Sequence, residues 1–315
     1  MSMVLSVVLI ALVFTYINGF HDTANSIATV VATKVLSPGQ AVLLAAITNL
    51  IGALWGTAVA KTIAAGLIDT NVVAAGSQLL ICALAAATVW NLITWWWGLP
   101  SSSSHALVGA LVGAAIAASG DQFGAIIWSQ GGDHWWQGKG VIPKVVVPMV
   151  VSPALGFVMG FVLMGALYAL LSWFSNRTGF LRRFGRTPFV NSFFGKAQIA
   201  SASAMGLAHG MNDAQKSMGI IALALAGATA AGQFDGLPHW LGFLRIHGSA
   251  TGGFEVPSWV AVVCALTMAA GTAGGGWRII KTLGHKMVKL HPINGFAAEG
   301  GASLVILAAS TFGLP

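Results

Sequence analysis

Two stretches of this sequence put carboxylates, amides and hydroxyls inside long apolar runs. Asn18 to Lys34 reads NGFHDTANSIATVVATK and follows the uncharged run Met3 to Ile17, and Ala208 to Leu225 reads AHGMNDAQKSMGIIALAL. Aligning Asp22 with Asp213 brings Gly19 onto Gly210, His21 onto Asn212, Asn25 onto Lys216 and Ser26 onto Ser217, a shared G-x-[HN]-D-x-x-x-S. A charge at membrane depth is costly unless it is paired or lines a cavity, so Asp22 and Asp213 mark a site by default. A third stretch, Ser101 to Ser104 followed by His105, offers four hydroxyls at the head of an apolar run that ends at Ala118. Hydroxyls and the free N–H groups of a helix start hold an oxyanion without a fixed positive charge, and so can also release it. Carboxylate and carbonyl oxygens beside them suit a small cation. The chemistry open to these residues is the holding of ions. Ser104 and His105 are adjacent and cannot share a helix face, and no GxSxG or HExxH string is present. Neither an enzyme nor a cofactor is indicated.

The elements that must position these groups are membrane helices. Of 315 residues 56% are hydrophobic and 7% charged, against roughly a quarter charged in a soluble domain. The fold class is therefore an all-α polytopic membrane protein. The first segment has no basic leader and no small-residue cleavage site before GFHD, so it reads as a retained helix. Cys82 and Cys264 lie inside apolar segments and do not suggest a disulfide framework. Gly19 can unwind the backbone, and Asp22 is a good N-cap for a helix restarting at Thr23. The sequence thus predicts broken helices at both aspartate motifs, within the spans Met3 to Val35 and Gln198 to Ala231. Counting about 20 residues per crossing, the other spans are Gln40 to Ala60, Val72 to Trp97, Lys144 to Trp173, Ser258 to Gly274 and Ile293 to Leu314. Trp95, Trp96 and Trp97 read as an interfacial aromatic belt. The run after the serines is short for a crossing and reads as one arm of a re-entrant hairpin with the serine loop at its tip.

A net charge of +7 raises the question of nucleic-acid binding, but nine of the fifteen Lys and Arg fall in two acid-free loops, Trp173 to Lys196 and Trp277 to His291. That is the positive-inside pattern of cytoplasmic loops, and no nucleic-acid partner is expected. With the first of these loops inside, Asp121 to Val141, Gly232 to Pro257 and the N-terminus lie outside. The first aspartate segment then runs inward and the second outward. WGLP at Trp97 to Pro100 recurs as FGLP at Phe312 to Pro315, so both halves carry the two elements in the same order. The reading is a pair of inverted-topology repeats: residues 1–172 hold the first repeat and a connecting span, 173–196 the basic cytoplasmic loop, and 197–315 the second repeat. Inverted repeats with interrupted helices meeting near the midplane are the architecture of secondary transporters.

NGFHDTANSIATVVATK, GLPSSSSHALVGALVG and AHGMNDAQKSMGIIALAL resemble the signature segments of the inorganic phosphate transporter (PiT) family, and the similarity runs along nearly the whole chain. The resemblance implies secondary active transport of inorganic phosphate across the inner (cytoplasmic) membrane by symport with sodium or protons. It also implies a homodimer in the lipid bilayer. Some relatives carry sulfate, so a sulfate permease is the alternative. Carried over by motif, Ser101, Ser102, Ser103, Ser104, Ser26, Gln215, Lys216 and Ser217 are candidate anion-binding residues. Asp22, Asn25, Asn212 and Asp213 are the candidates for cation binding or coupling, with Asp22, Asn25 and Asp213 as sodium ligands if sodium is the coupling ion. In the family the second GLP continues into a Ser/Thr-rich loop and further helices, whereas this sequence stops at Pro315. It is therefore expected to be truncated at its C-terminus, with the second repeat incomplete.

Overall fold

The computed structural model describes residues 1–55, 59–60, 67, 76–132, 138–246, 255–278 and 290–311. Backbone polar groups in hydrocarbon must be satisfied within their own segment, so apolar runs of this length become helices. Among the described residues there are eight: α1 (Ser2–Ala32), α2 (Pro38–Ala53), α3 (Ser77–Trp97), α4 (Ser103–Ala118), α5 (Val147–Ser175), α6 (Thr187–Ala230), α7 (Ser258–Gly274) and α8 (Pro292–Thr311). Among the described residues four helical stretches are long and apolar enough to cross a bilayer: α1, α3, α8, and α5 together with the π-helical turn Ile142–Val146 that precedes it. Helix α5 buries no residue and leaves Phe157 and Phe161 about three-quarters exposed, a surface suited to lipid rather than water. The chain is a multi-pass membrane protein.

Helices α1 and α6 form the centre and run in opposite directions. At one end the Met1 amino group donates to Gln233 Oε1 (3.3 Å), just beyond the end of α6; at the other, Thr33 Oγ1 donates to Gln198 Oε1 (2.8 Å), near its start. The aspartate motifs meet between these ends. Around this pair the packing is reciprocal, with α7 against α1 as α2 is against α6, and α3 against α1 as α8 is against α6. The glycines show it at residue level. Gly19 faces Met268 as Gly210 faces Asn49, and Gly271 faces Tyr16 as Gly52 faces Leu207, each so close that an added Cβ would overlap a backbone carbonyl oxygen. Reciprocal contacts of this kind are what a two-fold relation produces, and the opposed directions of α1 and α6 make the repeats inverted. Gly210→Ala should therefore destabilise the fold by about 1–3 kcal/mol or more, since the added methyl overlaps the Asn49 carbonyl. Thermal unfolding in detergent measures it, with Gly109→Ala, where a methyl meets open space, as the control.

The expected breaks at Gly19–Asp22 and in NDAQKS are absent: α1 and α6 run as unbroken helices through both motifs. The physical reason lies in the packing. Gly19 and Gly210 are spent on close helix approach, and Asp22 finds partners on neighbouring elements instead of capping Thr23. The real interruption is the serine loop. Helix α3 ends at Gly98 in the left-handed region (φ 66°), where Gly98 N donates to Trp95 O and Leu99 N to Thr94 O, and Pro100 blocks continuation. Helix α4 starts anew behind Ser102 as its N-cap. Both arms share one core with the N-terminal half of α1 (Val4, Val7, Phe14 with Leu80, Leu84, Leu107, Leu111), so the hairpin enters and leaves on the side where α1 begins. Its tip stops beside Asp22.

Of the three tryptophans Trp95 is half-buried and packs its ring on Phe20 at 5.0 Å, next to the first motif, and the Arg278 guanidinium lies over both Trp95 (4.9 Å) and exposed Trp96 (4.5 Å). Between α5 and α6 the chain makes a 3₁₀ turn, Gly179–Gly185, that carries Arg182 and Arg183. The second GLP and Lys281, Lys286 and Lys289 lie outside the described residues.

Candidate functional site

The two motifs bring their carboxylates together at the crossing of α1 and α6. Ligand atoms of Asp22, Asp213 and His209 all lie within 4.8 Å of one another, and all three side chains are buried. Asn18 joins the carboxylates: with its amide nitrogen turned towards them it donates to Asp22 Oδ2 (2.8 Å) and Asp213 Oδ2 (3.1 Å). On the first-repeat side, Ser103 Oγ donates to Asp22 Oδ2 (2.5 Å) and His21 Nδ1 lies 2.7 Å from Asp22 Oδ1. A carboxylate only accepts, so Nδ1 carries a proton; Nε2 lies 3.0 Å from Thr94 Oγ1. Thr94 Oγ1 in turn accepts from Ser101 Oγ (3.1 Å). On the second-repeat side, Lys216 Nζ donates to Asp213 Oδ1 (2.5 Å) and also to Ser104 Oγ, and His209 Nε2 is 3.2 Å from Asp213 Oδ2. His209 Nδ1 faces Asn49 Oδ1 at 3.1 Å.

Beside this cluster is a cavity of about 230 Å³, walled by Ser102, Ser104 and His105 of the hairpin, Ser152 of α5, His209, Asn212 and Asp213 of α6, and apolar residues of α5 and α8. The four serines therefore face different ways. Ser102 and Ser104 line the cavity, Ser103 holds Asp22, and Ser101 is turned to Thr94. The start of α4 lies at the cavity wall, which gives an anion both hydroxyls and a helix N-terminus without an exposed cation.

The other residues singled out in the sequence have different placements. Gln215 Oε1 accepts from Val59 N (2.8 Å) and Ala60 N (3.4 Å), and so pins a backbone segment away from the cavity. Asn25 is exposed, its Nδ2 3.5 Å from Asp22 Oδ1. Asn212 lines the cavity and donates to Ser310 Oγ at 3.1 Å. Ser26 and Ser217 are equivalent in the two repeats, and both are buried hydroxyls with no partner among the described residues. Such orphans are rare enough to be read as places for water or an ion. The sequence reading passed over two residues. Asn18 is one, its signal being only the spacing i, i+4 before Asp22. Glu299 is the other: a buried carboxylate on α8 that accepts from Ser201 Oγ (2.6 Å) on α6 and from Thr29 on α1, so it ties three helices together. A lone acid in the apolar run Ile293 to Leu314 was the signal for it.

A sequence model of the phosphate transporter family matches residues 18–315. The chain is 41% identical over 309 residues to a protein of Bacillus subtilis (strain 168) named "probable low-affinity inorganic phosphate transporter", covering 98% of this chain and 80% of that one. It is 44% identical over 311 residues to the Mycobacterium tuberculosis (strain ATCC 25618 / H37Rv) protein of the same name, covering 99% of this chain and 64% of that protein's length. A solved structure titled "The sodium-dependent phosphate transporter" superposes with a TM-score of 0.74 over all of this chain and 86% of its own, at 22% identity, which supports the fold. A family match over nearly the whole sequence, relatives above 40% identity and an inverted pair of aspartate motifs lead to one statement: the chain belongs to the phosphate transporter family.

Proposed function

We propose that this protein carries inorganic phosphate across the cytoplasmic membrane by symport with a cation, sodium or a proton, and that it works as a homodimer. The observation that carries the reading is the cluster itself: two buried carboxylates from inverted repeats, joined through Asn18, beside a cavity walled by hydroxyls and a helix start. A buried carboxylate without a cationic partner is costly, and among the described residues no Lys or Arg pairs with Asp22. A cation or proton arriving at Asp22 removes that cost, and an anion arriving beside it is favoured by the same charge. Each ion thus helps the other to bind, which is the thermodynamic content of coupling. Asp213 also lines the cavity, so a phosphate still carrying a proton can donate to it, whereas sulfate at neutral pH has none to give. This favours phosphate over the sulfate alternative.

Radiolabelled phosphate uptake by the full-length protein in proteoliposomes, under imposed sodium or proton gradients and with sulfate as competitor, tests the reading. Gradient-driven accumulation that sulfate does not displace is the expected result; sulfate uptake at the same rate overturns the substrate assignment. Within this scheme Ser104→Ala removes a hydroxyl from the cavity wall. A hydrogen bond to a charged ligand contributes about 1.5–3 kcal/mol, so the phosphate KM should rise roughly 10- to 100-fold with the cation dependence unchanged.

A further inference from the structure

The two repeats place the same carboxylate in different company. Three residues after Asp22 stands Asn25, a neutral amide 3.5 Å from its carboxylate; three residues after Asp213 stands Lys216, whose ammonium is 2.5 Å from the carboxylate and also donates to Ser104. Lys216 is fully buried. It does not line the cavity, whereas Asp213 and Ser104 do, so these two separate the ammonium from any anion there. An ammonium held by a carboxylate oxygen and a hydroxyl oxygen occupies the kind of oxygen-lined position a small cation would take. Asp22 is met instead by neutral groups, Asn18 and Ser103, and by His21.

We infer that the Lys216 ammonium is a built-in cation for the second repeat, so that of the two carboxylates only Asp22 receives a mobile coupling cation. This rests on the proposed cation-coupled transport and deepens it: one coupling cation is taken up through the aspartate pair for each phosphate, where a site with Asn in both repeats would take two. The device also reduces the repulsion between two carboxylates whose oxygens lie within 4.8 Å of one another, since the ammonium sits against one of them.

The test uses sodium as the probe and thermal unfolding of the full-length protein in detergent as the readout, against potassium at equal ionic strength. In an Asp22→Asn background the first-repeat site is removed, and sodium should have no specific effect. Adding Lys216→Asn recreates in the second repeat the Asp and Asn pair of the first, and a saturable sodium-dependent rise in Tm should appear. Adding Asp213→Asn as a third change should remove it again. The inference is overturned if Asp22→Asn alone keeps a sodium-specific rise, or if Asp22→Asn with Lys216→Asn elutes as a folded protein and shows none. Should that pair fail to fold, the wild type decides: initial phosphate uptake should depend on the driving cation with an order of one, and an order of two sinks the inference. Failure of the proposed function looks different, because no gradient would then drive uptake while the Tm responses remained as described.

Discussion

Asp22→Asn should abolish cation-driven accumulation of phosphate while leaving the protein folded. The amide keeps the carboxylate's shape, and its oxygen can still accept from His21 Nδ1–H; the side facing Ser103 and Asn18 changes from acceptor to donor, and the Ser103 hydroxyl can rotate and the Asn18 amide turn to suit. The charge cannot be recovered. Because coupling rests on a buried negative charge that a cation must neutralise, the variant has nothing for the driving ion to hold. Initial uptake under a gradient should fall by about 100-fold or more, equivalent to roughly 2.7 kcal/mol. Exchange of phosphate between the two sides without a gradient should survive to a measurable degree, because the cavity walls of Ser102, Ser104 and Asn212 are untouched. Wild-type accumulation by Asp22→Asn would place the coupling elsewhere and remove the central residue from the scheme.

The inversion was legible in the sequence because two physical signals agree on it. Charge bias sets which loops stay inside, and the recurrence of G-x-[HN]-D-x-x-x-S sets which segments correspond; Met1 beside Gln233 and Thr33 beside Gln198 are the structural form of the same statement. The grouping of Asp22, Asp213 and the serine loop followed from cost, since charges in hydrocarbon must meet something. What the sequence could not convey is how each cost is met. Asp22 was read as a helix cap because a local partner is all a single strand of sequence offers, whereas Ser103 reaches it from 81 positions away. Gly19 was read as a hinge for the same reason, although its lack of a side chain serves an approach by Met268 on α7. Gln215 sits inside a motif and looks like a ligand, yet its oxygen is engaged by backbone N–H groups at Val59 and Ala60. Glu299 was missed because it has no repeat-related acid to draw attention to it. Long-range satisfaction of polar groups is a property of packing, and periodicity carries little of it.

The stability of the Asp213–Lys216 pair should show the same logic in its strongest form. Both side chains are buried and their charged atoms are 2.5 Å apart, so removing either leaves an uncompensated charge in a low-dielectric core. Asp213→Ala and Lys216→Met should each cost about 3–5 kcal/mol, whereas the double replacement should cost far less than their sum, within about 2 kcal/mol of wild type, because a neutral pair has no charge to strand. Asp213→Ala should be the more damaging of the two, since it deprives Lys216 and Asn18 of one acceptor together, while after Lys216→Met the carboxylate keeps Asn18. The measurement is a double-mutant cycle on equilibrium unfolding of the purified protein in mixed micelles. Costs that simply add would mean the two side chains contribute independently. The ammonium would then be held in place by something other than the carboxylate, and the balance of charge that sets Asp22 apart from Asp213 would lose its physical basis.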